Sequence, residues 1–381
     1  MRTTNCFLVS LLLLFFLPAF PARADAGLQA FVDQTLTDVR ARTDVPAAAV
    51  MVQINGKLEA QAAQGVRAVG RPESVTLEDE WHIGSDTKAM TATLIARLVE
   101  QGYLRYEDTM ARIFPGIAAR MNPALHNVTV AQLLSHTAGL PALRSDRELK
   151  TFMRVVKSEK KVRAQRAALV IYYLTRPPAS KVGEFSYSNL GYVIAGAVAE
   201  ERTGSTWEEL MHDEIWKPLG IRSAGFGPPG RSGRYDQPLG HDRVKGKLVA
   251  LDPEDPLSDN PVPVGPAGRV HISLADWMLF VQDQLDGENG HGKLLRPESY
   301  KRLHTPVTKS YAMGWGVVRD AQGKTSVLTH TGSNGYWVAD VRIFPKHQLI
   351  LLSVLNSGDD VAIKADKEIA RALQDHLHAL E

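Results

Sequence analysis

Segments with the pattern of β-strands occur near both ends of this 381-residue sequence, and the middle has a mostly helical pattern. Near the N-terminus, residues 48–54 and 58–66 are joined by Asn55-Gly56, the strongest short signal for a β-hairpin. Near the C-terminus, strand-like segments recur at residues 312–319, 326–330, 337–344 and 349–355. Strands at both ends with helices between them predict one α/β domain whose sequence is interrupted by a mostly helical region.

Apolar residues that recur every three or four positions mark the predicted helices. The main ones cover residues 28–42, 85–100, 274–285 and 361–380. A capping box formed by Thr129 and Gln132 predicts a further helix that ends near Gly139. Residues 226–268 are crowded with proline and glycine, as is typical of a functional loop or a domain boundary. We therefore predict an α/β domain at residues 25–100 and 270–381, with an inserted helical domain at residues 101–269.

The first 24 residues have the three parts of a secretory signal. A positive start at residues 1–5 precedes an apolar run at residues 7–20, and Ala22-Arg23-Ala24 forms a small-x-small cleavage pattern. A membrane anchor is the alternative, but the run is shorter than the ~20 apolar residues that a span needs. We therefore predict a signal peptide at residues 1–24, a periplasmic or secreted protein, and no stable membrane anchor after cleavage.

Cysteine content and charge exclude several classes of function. Cys6 is the only cysteine and leaves with the signal, which rules out disulfides, thiol catalysis and cysteine-based zinc sites in the mature protein. Removal of Arg2 and Arg23 lowers the Lys and Arg count from 44 to 42, which equals the 42 Asp and Glu. A formal charge of zero provides no basic field for nucleic acid or an anionic membrane, so neither is a predicted partner.

A serine and a lysine one helical turn apart, Ser85 and Lys88, form the first chemical motif. Positions i and i+3 share a helix face, so the amine can reach the hydroxyl and, when desolvated, accept its proton. By itself the motif is weak, because a chain of this length contains about one Ser-x-x-Lys by chance. A second copy, Ser158 and Lys161, lies in a highly charged segment and is interpreted as a solvated helix face.

Two other hydrolase chemistries lack their sequence signatures. The sequence contains no His-Glu-x-x-His, and its scattered histidines have no ligand spacing, so we expect no metal and no cofactor. It also lacks the Gly-x-Ser-x-Gly turn of an α/β-hydrolase. We interpret His82 and His136 as structural, the latter because it follows a helix whose free carbonyls a histidine can satisfy.

Two later segments support Ser85 and Lys88. Tyr187 and Asn189 are two residues apart, so in an extended segment their side chains point the same way, and the triplet from His330 to Gly332 follows a strand-like run. Together these motifs resemble the penicillin-recognising serine hydrolases, particularly the branch of class C β-lactamases, D,D-carboxypeptidases and family VIII esterases. The resemblance extends from about residue 30 to residue 380 and includes residues 133–141, 187–192, 314–316 and 330–335.

The resemblance implies a fold and a role for each motif residue. It implies a β-lactamase/transpeptidase-like fold, with an antiparallel sheet flanked by helices and an inserted helical region. Ser85 is implied to be the nucleophile, with Lys88 and Tyr187 sharing the work of the general base; which of the two is deprotonated at rest stays open. The backbone N–H groups of Ser85 and Ser333 are implied to bind the oxyanion. The implied substrate-binding residues are Asn189, His330, Thr331, Gly332 and Ser333.

The sequence departs from the β-lactamases of this branch at His330, where they usually carry lysine. A histidine is mostly neutral near pH 7 and binds anions more weakly than lysine does. The prediction is therefore a serine hydrolase that acts through an acyl-enzyme on an ester or amide, of the esterase, D,D-peptidase or D-aminoacyl amidase type, with at most weak β-lactamase activity. Its partners would be small-molecule esters, peptides or β-lactams. The alternative is a penicillin-binding or cell-wall sensor module that acylates with little turnover.

Overall fold

The computed structural model describes residues 26–378 and has the predicted α/β architecture. Its strands are β1 (Ala47–Ile54), β2 (Lys57–Gly65), β3 (Glu80–His82), β4 (Gly225–Phe226), β5 (His241–Val244), β6 (Lys247–Ala250), β7 (Val270–Ser273), β8 (Gly316–Arg319), β9 (Thr325–Ser333), β10 (Val338–Phe344) and β11 (Leu349–Leu355). The predicted signal peptide lies outside the described residues.

The α-helices either flank the sheet or fill the region between its strands. They are α1 (Ala26–Arg42), α2 (Thr87–Glu100), α3 (Met110–Ile113), α4 (Pro115–Ala118), α5 (Pro123–His126), α6 (Val130–Leu134), α7 (Asp146–Val156), α8 (Val162–Leu174), α9 (Asn189–Thr203), α10 (Trp207–Leu210), α11 (Lys217–Leu219), α12 (Gly265–Gly268), α13 (Leu274–Glu288), α14 (Pro297–His304) and α15 (Asp360–His378). A π-helical turn, Met211–Trp216, joins α10 to α11. None of these helices in residues 26–378 is long and apolar enough to cross a membrane.

Strands from both ends of the chain form one six-stranded antiparallel sheet in the order β2-β1-β11-β10-β9-β8. The N-terminal hairpin closes at Asn55 and Gly56, both with positive φ, and β1 then pairs with β11. Because β11 lies between β1 and β10 near the centre of the sheet, it is buried along its whole length. The fold class predicted from the sequence is therefore confirmed.

Side chains of β1 alternate between two cores, one on each face of the sheet. Val50 and Val52 pack into a core covered by α1 and α15, whereas Ala49 and Met51 face a larger core. The centre of that larger core is α2, a helix with 11 of its 14 residues buried. A helix that is buried on nearly all sides is held in a fixed place, and so is the turn directly before it, which carries Ser85.

The segment between residues 101 and 269 supplies α3 to α12 and the short strands β4 to β6. Its proline- and glycine-rich part contains a hairpin, β5 and β6, that turns at Lys245 and Gly246 with positive φ at both residues. The proposed domain boundaries at residues 101 and 269 stay a prediction.

Several element boundaries differ from those expected, and two of the differences lie in motif segments. The capping box at Thr129 is present, but its helix ends at Leu134, because His136 (φ 59°) and Gly139 (φ 71°) turn the backbone out of the helix. Strand β9 continues past the expected end at residue 330 and includes the whole His-Thr-Gly triplet and Ser333, which pairs with Val338.

A buried carboxyl beneath the sheet provides a stability prediction. Asp366 on α15 accepts a 2.6 Å hydrogen bond from Ser353 Oγ, and its other carboxyl oxygen is buried without a partner among the described residues. Burial, followed by the charge of Asp340, raises the pKa of Asp366 to about 8. Between pH 4 and pH 8 the folded protein therefore holds a proton that the unfolded chain releases, so stability falls as the pH rises through this window.

We expect Asp366→Asn to remove this pH dependence. Asparagine keeps an acceptor for Ser353 and carries no charge, so the variant should melt at a higher temperature than wild type at pH 8, by about 1–4 °C. At pH 4 the difference should shrink, because wild-type Asp366 is then protonated in the folded state. Melting curves of both proteins from pH 4 to pH 8 measure this, and parallel curves would contradict it.

Candidate active site

Ser85 lies on a single 3-10 turn, Gly84–Asp86, directly before α2. Gly84 has φ 50°, and a side chain there would come within 2.5 Å of the backbone nitrogen of Ser333. Only glycine therefore allows this turn and the end of β9 to lie so close together. The position before α2 also places the Ser85 backbone N–H at the positive end of a buried helix.

Lys88 is completely buried, and its amine has three neighbours. Nζ lies 2.9 Å from Ser85 Oγ, 2.9 Å from Asn189 Oδ1 and 2.5 Å from the carbonyl oxygen of Ala267. Asn189 Oδ1 and the carbonyl can only accept hydrogen bonds, so they take two N–H groups. The third direction of the amine, toward Ser85, then holds the lone pair when Lys88 is neutral.

Burial lowers the pKa of Lys88 well below its usual range, since a charged amine loses its hydration there. The charge of Asp86 opposes this shift, and the charge of Arg144 adds to it. The direction of the shift favours the neutral amine, which can accept a proton from Ser85.

Tyr187 also contacts Ser85. Its hydroxyl donates a 2.9 Å hydrogen bond to Ser85 Oγ, while Lys88 Nζ lies 4.9 Å from the centre of its ring. Burial raises the pKa of Tyr187 to about 12, although the bond to Ser85 acts against the shift. Tyr187 is therefore a phenol at neutral pH, and the geometry favours Lys88 as the resting base, a question the sequence left open.

Asn189 is the first residue of α9 and not part of an extended segment, contrary to the sequence-based expectation. Ser188 caps this helix by accepting a hydrogen bond from Gly191 N–H, and it also donates one to the carbonyl of Pro141. The cap turns the chain sharply between Tyr187 and Asn189. Both side chains still reach the same site, Tyr187 at Ser85 and Asn189 at Lys88.

His330 lies beneath the site and is only 8% exposed. Its Nδ1 is 3.0 Å from Asp86 Oδ1 and its Nε2 is 3.3 Å from the hydroxyl of Tyr311. Burial, with a smaller contribution from the charge of Lys88, lowers the pKa of His330 to about 3, and burial raises that of Asp86 well above its usual range. The ring is therefore neutral with both nitrogens bonded, and its predicted contact with substrate stays a prediction.

The rest of the triplet forms the wall opposite Tyr187. Thr331 is exposed and donates a 2.8 Å hydrogen bond to Asp340. A side chain at Gly332 would meet the carbonyl oxygen of Ile83 at 2.0 Å and Ser85 N at 2.9 Å. Glycine therefore lets β9 contact the nucleophile turn, Gly84–Asp86. This contact brings the backbone of Ser333 beside Ser85, as an oxyanion site made of their two N–H groups requires.

The end of β9 also has an open edge. The pairing of β8 with β9 runs from Arg319 and Thr325 to Gly316 and Thr329, so residues 330–333 extend beyond it. On that side these residues have no strand partner among those the structure describes.

A cleft of about 640 Å³ opens next to this edge. Asn334, which follows Ser333, lines it, and so does Asn260, which donates a hydrogen bond to the carbonyl of Gly268 beside the nucleophile turn. Its apolar wall comes from α7 and the proline-rich loop and includes Leu149, Met153, Val156, Leu257 and Val262. A larger cavity of about 830 Å³ lies elsewhere, near Glu288 and Lys346, and neither cavity is lined by Ser85, Lys88, Tyr187 or residues 330–333.

Three contributors to the site have no signal in the sequence. His136 accepts a hydrogen bond from Ser188 N–H through Nδ1, and its ring lies 4.2 Å from that of Tyr187, so it supports the tyrosine and not its own helix end. The carbonyl of Ala267 orients Lys88, and the Arg144 guanidinium stacks on the ring of Tyr187. The site is assembled from distant segments, and the sequence does not show which backbone carbonyl contacts a side chain.

No group of three or more His, Cys, Asp or Glu side chains in residues 26–378 could hold a metal ion. The second Ser-x-x-Lys copy forms no comparable cluster. Ser158 is exposed and donates only to the carbonyl of Val155, and Lys161 is exposed at the start of α8.

Comparison with known proteins gives consistent matches along the chain. A family model described as "Beta-lactamase" matches residues 32–375. Penicillin-binding protein 4 of Amycolatopsis lactamdurans is 30% identical over 339 residues, which cover 84% of this chain and 83% of that protein.

Two solved structures show the same fold. A β-lactamase from Sulfitobacter sp. EE-36 aligns with a TM-score of 0.73 at 18% identity and covers 94% of this chain and all of its own. A D-stereospecific amidohydrolase from Streptomyces sp. aligns with a TM-score of 0.68 at 20% identity, covering 90% of this chain and 98% of the other.

Proposed function

Because this chain belongs to the β-lactamase family, we propose that it is a serine hydrolase that cleaves esters or amides through an acyl-enzyme on Ser85. The observation that carries the proposal is the bonding of Lys88. Two acceptors, Asn189 Oδ1 and the Ala267 carbonyl, take its N–H groups and leave its lone pair directed at Ser85 Oγ. A buried, neutral amine held in this way is a general base poised on a nucleophile.

Acylation follows from these positions. Lys88 takes the proton of Ser85, and Oγ bonds to the substrate carbonyl carbon while the N–H groups of Ser85 and Ser333 bind the oxyanion. The bond to the leaving group then breaks, and the leaving atom takes a proton from the hydroxyl of Tyr187. The ammonium of Lys88 restores that phenol, which balances the protons.

Deacylation repeats the sequence with water as the nucleophile. Lys88, neutral again after acylation, removes a proton from water, whose oxygen bonds to the acyl carbon, and the resulting ammonium supplies the proton that Ser85 Oγ recovers. The bond between that carbon and Ser85 Oγ breaks, and Oγ recovers its proton. The products are a free acid and unmodified enzyme.

The substrate class we propose is an ester or an amide of the D-peptide or D-aminoacyl type, with weak activity at most on β-lactams. A neutral, buried His330 supports this choice, since a neutral ring attracts the carboxylate of a β-lactam more weakly than a lysine would. The names of the similar proteins, a penicillin-binding protein and a D-stereospecific amidohydrolase, are consistent with it. We also propose export, on the basis of the signal pattern in residues 1–24.

A substrate panel tests the proposal. Wild type, Ser85→Ala and the control Ser158→Ala would be compared on p-nitrophenyl esters, D-Ala-D-Ala peptides, D-amino-acid amides and a chromogenic cephalosporin. We expect hydrolysis by wild type and Ser158→Ala and loss of it in Ser85→Ala. Full activity in Ser85→Ala would refute the mechanism, and a stable penicillin adduct without any hydrolysis would favour the sensor alternative.

The resting state predicts a pH profile. Activity requires neutral Lys88, so kcat/KM should rise with pH along an acid limb set by the lowered pKa of Lys88. Tyr187, with its pKa raised to about 12, should cause no loss of activity up to about pH 10. Profiles on a p-nitrophenyl ester for wild type and Tyr187→Phe measure this. If the acid limb disappeared in Tyr187→Phe, the base would be Tyr187.

A further inference from the structure

Arg144 presents a cation at the mouth of the site. Its guanidinium carbon lies 4.8 Å from the centre of the Tyr187 ring, and Tyr187 in turn donates its hydrogen bond to Ser85. Burial lowers the pKa of Lys88 and the charge of Arg144 lowers it further, whereas burial raises the pKa of Tyr187 and the charge of Arg144 opposes that rise.

The backbone holds Arg144 in this position. Leu143 before it is buried with φ 57°, and Ser145 after it caps α7 in a capping box with Glu148. The backbone N–H of Arg144 donates to Glu148 as well, at 3.0 Å. The side chain therefore projects from a fixed point on the loop between α6 and α7.

The guanidinium of Arg144 is unpaired within the described part of the chain. The side chain is exposed and makes no ion pair with any carboxylate that the structure describes, whereas Arg269, at the nearby cleft, is paired with Asp259. A guanidinium presents two parallel N–H groups that match the two oxygens of a carboxylate. The guanidinium of Arg144 lies over the ring of Tyr187, and its two parallel N–H groups are available to a ligand.

The other side of the site offers no such cation. His330 is neutral, and its two ring nitrogens are bonded to Asp86 and Tyr311. Lys88 is buried and has its N–H groups occupied. Neither His330 nor Lys88 can therefore pair with a negatively charged substrate, whereas the guanidinium of Arg144, which lies over the Tyr187 ring, can.

We propose that Arg144 binds a carboxylate of the substrate beside the scissile bond, so that the preferred substrates are esters or amides that carry a free carboxylate. This inference rests on the proposed hydrolase function and adds a substrate class to it. Arg144 is a specificity residue: it holds the substrate and takes no part in proton transfer.

Two matched substrate pairs test the proposal, each with one charged and one neutral member. The first pair is the mono-p-nitrophenyl ester of glutaric acid and p-nitrophenyl butyrate, which places the carboxylate on the acyl side. The second is an N-acyl-D-alanyl-D-alanine and its C-terminal amide, which places it on the leaving group. The variants are Arg144→Gln and the control Arg147→Gln, which removes an exposed arginine three residues away that makes no ion pair with any residue the structure describes.

In at least one pair, Arg144→Gln should lower kcat/KM for the charged member about ten- to hundredfold, mainly through KM, and change the neutral member by less than about threefold. Arg147→Gln should leave both members near wild type. Equal losses for charged and neutral members would overturn the inference and indicate a general electrostatic role, and so would no loss in either pair. Wild type that cleaves none of the four substrates, or Ser85→Ala that still cleaves them, would instead refute the proposed function itself.

Discussion

Lys88→Met is expected to reduce kcat/KM on a p-nitrophenyl ester by about a thousandfold or more, because removing a positioned general base typically costs 10²–10⁴-fold and Ser85 has no other neutral amine beside it. Methionine has a similar length and no charge, so it fits the buried position without the desolvation cost of an amine. The melting temperature should stay close to that of wild type, because the desolvation cost of the amine disappears together with its hydrogen bonds to Asn189 Oδ1 and the Ala267 carbonyl.

The chain provides its own control for this variant in the second Ser-x-x-Lys copy. Lys161→Met makes the same chemical change at an exposed lysine, three residues after an exposed serine. Its kcat/KM should equal that of wild type. A Lys88→Met enzyme that is folded and within about fivefold of wild-type activity would show that Lys88 is not the base.

Gly332→Ala is expected to lower kcat/KM by at least about a hundredfold, the typical cost of losing one oxyanion donor. The new methyl group would lie 2.0 Å from the carbonyl oxygen of Ile83, a clash with backbone that cannot be relieved by a side-chain rotation. Either β9 or the turn that carries Ser85 has to move, which separates the two N–H groups of the oxyanion site. Overpacking of this kind also costs about 1–3 kcal/mol of folding free energy.

Activity and melting temperature would be measured together for Gly332→Ala and for Gly116→Ala. Gly116 lies on a surface helix, and a side chain there meets nothing within 4 Å, so its variant should match wild type in both measurements. Unchanged activity in Gly332→Ala would contradict the close contact between β9 and the nucleophile turn.

The sheet and the central cluster were predictable from sequence because their signals are local. Asn55-Gly56 fixes a hairpin, the strand-like run at residues 48–54 leads into that turn, and a spacing of three residues on a helix brings Lys88 to Ser85. The role of Tyr187 followed from its place beside Asn189 in a family pattern. In the structure the amine of Lys88 and the hydroxyl of Tyr187 both lie within hydrogen-bond distance of Ser85 Oγ, and Asn189 bonds to that amine.

The remaining features depend on contacts between distant segments. His136 was interpreted as an end-of-helix residue, but the helix stops at Leu134 and the ring packs on Tyr187, 51 positions later in the chain. His330 was expected to meet substrate, yet its environment depends on Asp86 and Tyr311, whose proximity no local pattern encodes. Burial lowers the pKa of Lys88 and raises that of Tyr187, and burial is a property of the fold.

The most direct measurement of the central claim is the site of acylation. Wild-type enzyme mixed rapidly with a slowly deacylating ester or a penicillin, quenched in acid and analysed by intact mass and peptide mapping, is expected to carry one acyl group on Ser85. Lys88→Met should accumulate the same adduct far more slowly, and Ser85→Ala should carry none. An acyl group on another residue, or equal labelling of Ser85→Ala, would contradict the assignment of Ser85 as the nucleophile activated by Lys88.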